Sequence, residues 1–158
     1  MKKYAALALV ATAAILAGCE STGGGNRGAI SVTPTHLGQP IARGEIRVEP
    51  GSAAANEPAF AQLIAPVERE LSRLGWRLVP QKAASEQVAV VNIVSSAGTT
   101  GLRVRIQRRS DGSVAWQGLA EGPAVGGSYA ERAALFDRLA RALFQDFPGE
   151  SGRTISVR

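Results

Sequence analysis

The fold is decided by one stretch in the second half of the chain, residues 102–118, which reads Leu102-Arg103-Val104-Arg105-Ile106-Gln107-Arg108-Arg109-Ser110-Asp111-Gly112-Ser113-Val114-Ala115-Trp116-Gln117-Gly118. Polar and apolar residues alternate on both sides of a Ser-Asp-Gly turn, and this alternation has the period of a half-buried strand. Two such runs joined by a glycine-containing turn predict an antiparallel β-hairpin.

Two registers are open to this hairpin, and the turn chemistry separates them. A two-residue loop places Gln107 opposite Trp116, so that arginines share the face of the tryptophan. A three-residue loop with a left-handed glycine and a G1 bulge places Ile106 opposite Trp116 and Arg108 opposite Val114. The second register gathers the large apolar side chains on one face, and a slip of one residue would undo this. We therefore predict the second register.

The chosen register places a row of basic and amide side chains on the opposite face, beside Gln117: Arg103, Arg105, Gln107 and Arg109. Arg103, Arg105 and Arg109 are candidate binding residues, because guanidinium groups suit carboxylates and phosphates in bidentate geometry. The alternative is a solvated sheet face whose charges discourage aggregation.

Two amphipathic helices are predicted elsewhere in the chain. The first begins at a cap on Asn56, contains Pro66, where we expect a kink or restart, and ends before a left-handed Gly75. The second begins at a capping box formed by Ser128 and Glu131, and Pro148-Gly149 ends it.

Further strands are predicted at 44–49, 76–80 and 87–94, with a short strand in the tail at 153–158. The run at 87–94 is nearly continuous in β-branched residues, which is typical of a strand in the centre of a sheet. The expected fold class is therefore α+β, with a mostly antiparallel sheet of about five strands and two amphipathic helices packed on one face.

The N-terminus begins with Met1-Lys2-Lys3, continues through an apolar run and closes with Leu16-Ala17-Gly18-Cys19. A basic start, an apolar middle and small residues at the end form the layout of a secretory signal. The apolar run is too short to span a bilayer, which takes about 20 residues. The cysteine directly after the small residues resembles the lipobox of bacterial lipoproteins.

That resemblance implies cleavage between Gly18 and Cys19, a thioether-linked diacylglycerol on Cys19 and acylation of the new amino terminus. Membrane attachment would then run through the N-terminal lipid. Glu20 stands where an aspartate would indicate retention in the inner membrane, so the expected location is the outer membrane, facing the periplasm. The alternative is a plain secretory signal whose cysteine falls near the cleavage site by chance.

The chain therefore divides into a signal peptide at 1–18, a lipidated cysteine with a flexible tether at 19–40 and a single periplasmic domain at 41–158. The tether is expected because Gly, Ser, Thr and Asn dominate its composition and it has few large apolar residues. Within it, residues 29–33 could form a short edge strand. His36 is expected to be a surface residue.

Composition favours binding over catalysis. Cys19 is the only cysteine and His36 the only histidine, which leaves no intrachain disulfide, no cysteine-based metal site and no visible nucleophile–base pair. The carboxylates are expected on exposed helix and strand faces, where charge is common: Glu45, Glu49, Glu68, Glu70, Asp137 and Asp146. We therefore predict a protein that is not an enzyme and has no cofactor and no metal. Export excludes nucleic acid, and the formal net charge of +5 falls by two when Lys2 and Lys3 leave.

Three segments together resemble bacterial lipoproteins with the domain of unknown function 4136: Arg69-Glu70-Leu71-Ser72-Arg73-Leu74-Gly75-Trp76, the hairpin with Asp111-Gly112 and Trp116-Gln117-Gly118, and the closing Phe147-Pro148-Gly149. The resemblance implies an α+β envelope domain with a lipid anchor and supplies no activity. Our hypothesis is a periplasmic binding or scaffolding protein whose partner is an envelope protein or an anionic polymer. The alternatives are an accessory subunit of an envelope transport or assembly complex, and an uncharacterised periplasmic enzyme.

Overall fold

A computed structural model describes residues 28–51 and 60–158. The signal peptide, Cys19 and the expected helix cap at Asn56 lie outside the described residues. Within them the chain forms seven strands and two helices in the order β1 (Ile30–His36), β2 (Glu45–Pro50), α1 (Phe60–Arg73), β3 (Arg77–Leu78), β4 (Gln87–Ser96), β5 (Thr99–Arg108), β6 (Val114–Pro123), α2 (Tyr129–Gln145) and β7 (Ile155–Val157).

All seven strands belong to one mixed sheet with the order β3-β2-β4-β5-β6-β1-β7. The fold is α+β, but the prediction of about five mostly antiparallel strands is wrong. β2 pairs in parallel with both β3 and β4. α1 crosses over from β2 to β3, and residues 79–86 then return the chain to start β4 in the same direction. Alternation within a strand carries no information about the direction of its neighbour, so the sequence pattern did not reveal these parallel pairs.

The expected tether at 19–40 does not hold for β1. This strand is seven residues long and lies between β6 and β7 rather than at an edge. Ile30 and Val32 are buried in the core, so the folded unit begins before the predicted boundary at residue 41. Small polar residues suggested a linker, but two inward apolar side chains and a partner strand more than 80 residues away stabilise a strand here.

The hairpin has the predicted register over most of its length. Ile106 lies opposite Trp116, and Gly112 adopts a left-handed conformation with φ of 69°. The expected pairing of Arg108 with Val114 is wrong, because a register shift after Ile106 brings Val114 opposite Gln107. The bulge displaces only the strand ends next to the turn, and the apolar face remains intact.

The core is centred on the indole of Trp116, which has no solvent exposure. Phe144 of α2 stacks on this ring with a centroid separation of 5.5 Å, and Phe147 lies 5.0 Å away at a tilt. The indole N–H donates to the carbonyl oxygen of Pro148 at 3.0 Å. The ring also covers Gly118, where a Cβ would lie 2.3 Å from an indole carbon. The Trp-x-Gly pair therefore lets the helix approach the sheet.

Both helices pack on the same face of the sheet, and the structure confirms two of their predicted ends. At the end of α1, Gly75 has a φ of 98°, and the N–H of Trp76 donates to the carbonyl of Leu71, as in a Schellman motif. α1 continues through Pro66 as one helix, so the expected restart does not occur.

At the start of α2, Ser128 and Glu131 form the predicted capping box. The Ser128 hydroxyl and backbone N–H donate to the Glu131 carboxylate and hold the pKa of Glu131 below its usual range. Neither α1 nor α2 has the length and hydrophobicity needed to cross a membrane, and these are the helices of the described ranges.

We expect Gly118→Ala to lower the free energy of unfolding by about 1–3 kcal/mol, because the new methyl group would overlap the Trp116 ring and Leu143. Gly127→Ala is the matched control, since no atom lies within 4 Å of its Cβ position; its effect should stay below about 0.5 kcal/mol. Urea unfolding followed by tryptophan fluorescence measures both. Equal stability of the two variants would contradict this account of the core.

Candidate functional site

The candidate site is the sheet face that points away from the helices, here called the open face. It carries Arg103 and Arg105 on β5, which alternate with the fully buried Leu102, Val104 and Ile106. The cross-strand neighbours of these arginines are Val90 and Asn92 on β4 and Gln117 and Leu119 on β6. The predicted face of the arginine row is thus confirmed for Arg103 and Arg105.

Arg109 has a different environment from the other two arginines. It lies just after β5, and its guanidinium donates to Oε1 of Glu49 at 2.5 Å. The same oxygen accepts a second guanidinium from Arg47, whose Nε lies 2.6 Å away. Arg109 is therefore ion-paired with Glu49, a carboxylate that it shares with Arg47.

Arg103 and Arg105 have no such compensation. No carboxylate within residues 28–51 and 60–158 forms an ion pair with either of them. The Nε of Arg105 donates to Oε1 of Gln117 at 3.2 Å. The Nε of Arg103 is buried and has no hydrogen-bond partner in the described part of the chain. The two Cα atoms are about 7 Å apart along the strand.

This arrangement suits an anionic ligand. Arg103 and Arg105 are half-buried residues whose guanidinium groups have no carboxylate partner among the described residues, and Val90 and Leu119 beside them are half-buried apolar residues. A charge-assisted hydrogen bond is stronger beside apolar surface than in open water, because the local dielectric constant is lower. The predicted set of three arginines thus separates into Arg103 and Arg105, which have no ion-pair partner among the described residues, and Arg109, which is paired with Glu49.

Sequence reasoning missed the contribution of β2 to this face. Arg47 and Glu49 stand two residues apart on one strand and so point to the same side. That spacing was visible in the sequence, but the parallel pairing of β2 with β4, which places them one strand away from β5 on the same sheet, was not. Arg47 also donates to the carbonyl oxygens of Gln81 and Ala83, which ties the loop before β4 to this face.

The other polar groups considered in the sequence have structural contacts. His36 is half-buried at the end of β1, where Nε2 lies 3.0 Å from the Gly149 carbonyl oxygen and Nδ1 accepts the N–H of Gly38 at 3.0 Å. Glu70, expected on an exposed helix surface, is only 5% exposed and accepts Nε of Arg73 at 2.7 Å. In the described ranges no three His, Cys, Asp or Glu side chains converge as metal ligands.

A small groove lies between the end of α2, β1 and the C-terminal loop. Its volume is about 200 Å³, and apolar groups such as Val32, Leu143 and Phe147 form most of its lining. Asp146 and Arg153 contribute charged groups to the same groove. It opens on the helix side, so it is separate from the open face.

Comparisons with known proteins relate the chain to others through its fold alone. No protein-family model matches it, and no curated protein matches its sequence. A crystallised variant of the PelC dodecamer from Paraburkholderia phytofirmans is 16% identical over 71% of this chain and 93% of PelC, with a TM-score of 0.51. A second PelC dodecamer structure is 18% identical over 73% of this chain and 97% of PelC, with a TM-score of 0.47.

A PDZ domain protein from Parabacteroides distasonis has a similar fold over a larger part of this chain. It is 11% identical over 82% of the chain, with a TM-score of 0.52, and the match spans 39% of that protein. The two matches with TM-scores of 0.51 and 0.52 show a similar arrangement of strands and helices. They assign no site residue.

We expect Arg103→Met to leave the free energy of unfolding unchanged or to raise it by up to about 1 kcal/mol. The buried Nε–H without an acceptor destabilises the folded state, and an apolar side chain of similar length removes it. Glu49→Gln is the comparison, because it weakens two internal ion pairs and should lower the stability. Denaturant unfolding measures both variants, and a marked loss of stability in Arg103→Met would show that Arg103 is structural.

Proposed function

We propose that this chain is a lipid-anchored protein of the bacterial cell envelope that acts by binding or scaffolding rather than by catalysis. The observation that supports the location is the segment Leu16-Ala17-Gly18-Cys19 after a basic and apolar leader. The observation that supports the mode of action is the pair Arg103 and Arg105 on the open face, for which the described residues provide no carboxylate partner. The proposed place is the outer membrane, with the domain in the periplasm.

The proposed anchor acts through the length of its acyl chains. Each buried CH₂ contributes about 0.8 kcal/mol, so one chain binds a membrane only marginally and several chains bind it stably. A diacylglycerol on the Cys19 sulfur together with an acylated amino terminus reaches that stable regime. The domain would then remain at the membrane without a spanning helix.

A relationship to lipoproteins with the domain of unknown function 4136 is part of this proposal. The residues behind it have defined structural roles, which supports reading them as a motif: Gly75 caps α1, Gly118 accommodates Trp116, and Phe147 packs on Trp116. Residues whose roles depend on one another are expected to occur together in related chains. This relationship brings no catalytic residue with it.

Cys19→Ser tests the anchor. The variant lacks the sulfur that carries the diacylglycerol, so we expect the protein to leave the membrane fraction and to lack the mass of the acyl groups. Globomycin, which blocks cleavage of lipoprotein precursors, should make the unaltered chain accumulate with its leader attached. Membrane fractionation and intact-mass spectrometry are the measurements. Unchanged membrane partition of Cys19→Ser would refute the anchor.

A second candidate is a subunit of an envelope transport or assembly complex. The observation that favours it is the similar fold of PelC, which crystallised as a dodecamer. The PelC dodecamer shows that a domain with this fold can form repeated contacts between copies. The partner could then be a second copy of this chain or another envelope protein that docks on the open face.

Charge reversal on the open face separates these two candidates. We expect the double variant Arg103→Glu/Arg105→Glu to lose its co-purifying partners at least about tenfold, because like charges then meet across the contact. Arg132→Glu/Arg141→Glu changes the net charge equally at exposed positions on α2, on the helix side of the sheet, and should retain them. Purification from native membranes with mass spectrometry identifies the partners, and native mass gives the copy number. Equal recovery by both variants would eliminate the open face as the interface.

A further inference from the structure

The end of the domain at which the chain enters can be located from contacts of the first described residues. The carbonyl oxygen of Gly28 accepts from Arg138 of α2 at 2.7 Å. A Cβ on Gly122 would contact the side chains of Ile30, Leu135 and Leu139 at 3.5–3.6 Å. The first residue of β1 therefore lies level with the middle of α2.

The beginning of α2 extends beyond this level. α2 runs from Tyr129 toward Phe144, which stacks on Trp116, and Trp116 lies opposite the last residue of β1. Tyr129 precedes Leu135 by six residues, so it lies about 9 Å further along the helix axis. Loop 124–128, which follows β6, lies at this same end. We call this end, comprising residues 28–29, 97–98 and 123–129, the N-terminal pole.

The N-terminal pole exposes apolar side chains to solvent. Tyr129 is 60% exposed and Val125 is 38% exposed. The other large hydrophobic side chains with high exposure in the described ranges, Leu37 and Val114, lie at the opposite end of the sheet. Tyrosine with an exposed ring is the side chain favoured at the boundary between headgroups and acyl chains, because it has an apolar body and a polar tip.

The proposed anchor brings this pole close to a bilayer. Cys19 and Gly28 are about nine residues apart, and a fully extended chain covers at most about 3.6 Å per residue. The pole therefore stays within about 30 Å of the lipidated sulfur. A tether of this length holds its end at a millimolar effective concentration near the membrane, so even a weak contact of two side chains becomes populated.

We propose that the N-terminal pole rests on the bilayer surface, with Tyr129 and Val125 in the interfacial region. This inference rests on the lipid anchor of the proposed function. It fixes the orientation of the domain: strands run away from the membrane starting at Ile30, and the Arg108–Ser113 turn lies at the far end. The open face then stands roughly upright on the membrane and remains accessible from the side.

Charge at this pole is mixed, so the partner is the lipid interface itself rather than an anionic headgroup. Just beside the residues that define the pole, Arg132 and Arg158 contribute positive charge, while Glu121 and Glu131 contribute negative charge. The side chain of Arg138 is engaged with the carbonyl of Gly28. Contact of the N-terminal pole with the bilayer should accordingly depend little on the fraction of phosphatidylglycerol in the membrane.

The test uses the natively processed full protein carrying either Tyr129→Trp or Val114→Trp, reconstituted into phosphatidylethanolamine vesicles that contain brominated phosphatidylcholine. Bromine in the acyl chains quenches a nearby tryptophan. The native residues Trp76 and Trp116 are buried, being 3% and 0% exposed, and are common to both variants. Val114 is 40% exposed, so it is a matched exposed site at the far end of the domain.

We expect at least about threefold more quenching of the tryptophan at 129 than at 114, because an interfacial side chain lies about 5–10 Å into the headgroup and acyl boundary. Val125→Trp gives the same readout if Tyr129→Trp does not fold. Equal quenching at both positions would overturn the inference. A blue-shifted emission at 129 without quenching would also overturn it, because it indicates a protein neighbour at the pole.

Intact-mass spectrometry of the same samples keeps the two proposals distinguishable. A protein that carries acyl groups and shows no quenching at 129 contradicts the orientation alone. A protein without acyl groups on Cys19 contradicts the anchor, and the orientation that depends on it fails with it. Quenching that is unchanged when phosphatidylglycerol replaces one third of the lipid supports contact with the interface rather than with its charge.

Discussion

The packing of Trp116 over Gly118 is the contact on which the rest of the structure depends. The indole needs a flat surface on the sheet, and only a residue without a Cβ leaves room for it. Phe144 stacks on the indole ring, and Phe147 packs against it at a tilt. The indole N–H donates to the Pro148 carbonyl oxygen. One side chain therefore connects β6, the end of α2 and the C-terminal loop, and aromatic contacts of this kind stabilise beyond the area they bury.

Because both helices pack on that core face, no helix of residues 28–51 and 60–158 covers the opposite face of the sheet. The two edges of the sheet, by contrast, are covered or short. The outer edge of β1 is covered by β7 and by the tail, where Gly152 donates to the Pro34 carbonyl at 2.7 Å and Ser151 bonds the backbone of His36. On the other side β3 is only two residues long. Short and capped edges discourage strand addition.

Predictions succeeded where the deciding interactions are local. The hairpin register followed from alternation and a glycine turn, and the capping box at Ser128 followed from four adjacent residues, because each depends on neighbours within a few positions. They failed where the partner is distant. β1 pairs with residues 116–121 and 155–157, and no local pattern shows that a short run of small polar and β-branched residues has such partners. The sequence did not predict the parallel pairs of β2 for the same reason, because their partner strands cannot be recognised from a local pattern.

By itself the sequence determined which face of each strand and helix is apolar, where the main turns and caps stand, and that a lipobox-like segment precedes the domain. These are properties of residue order, since side-chain direction repeats with a period of 2 in strands and 3.6 in helices. Only the tertiary structure decided that Arg109 is paired with Glu49 while Arg103 and Arg105 are not, and that Tyr129 stands at the end where the chain enters. Those outcomes depend on which distant strands become neighbours, because ion pairing and exposure are set by distances in space rather than along the chain.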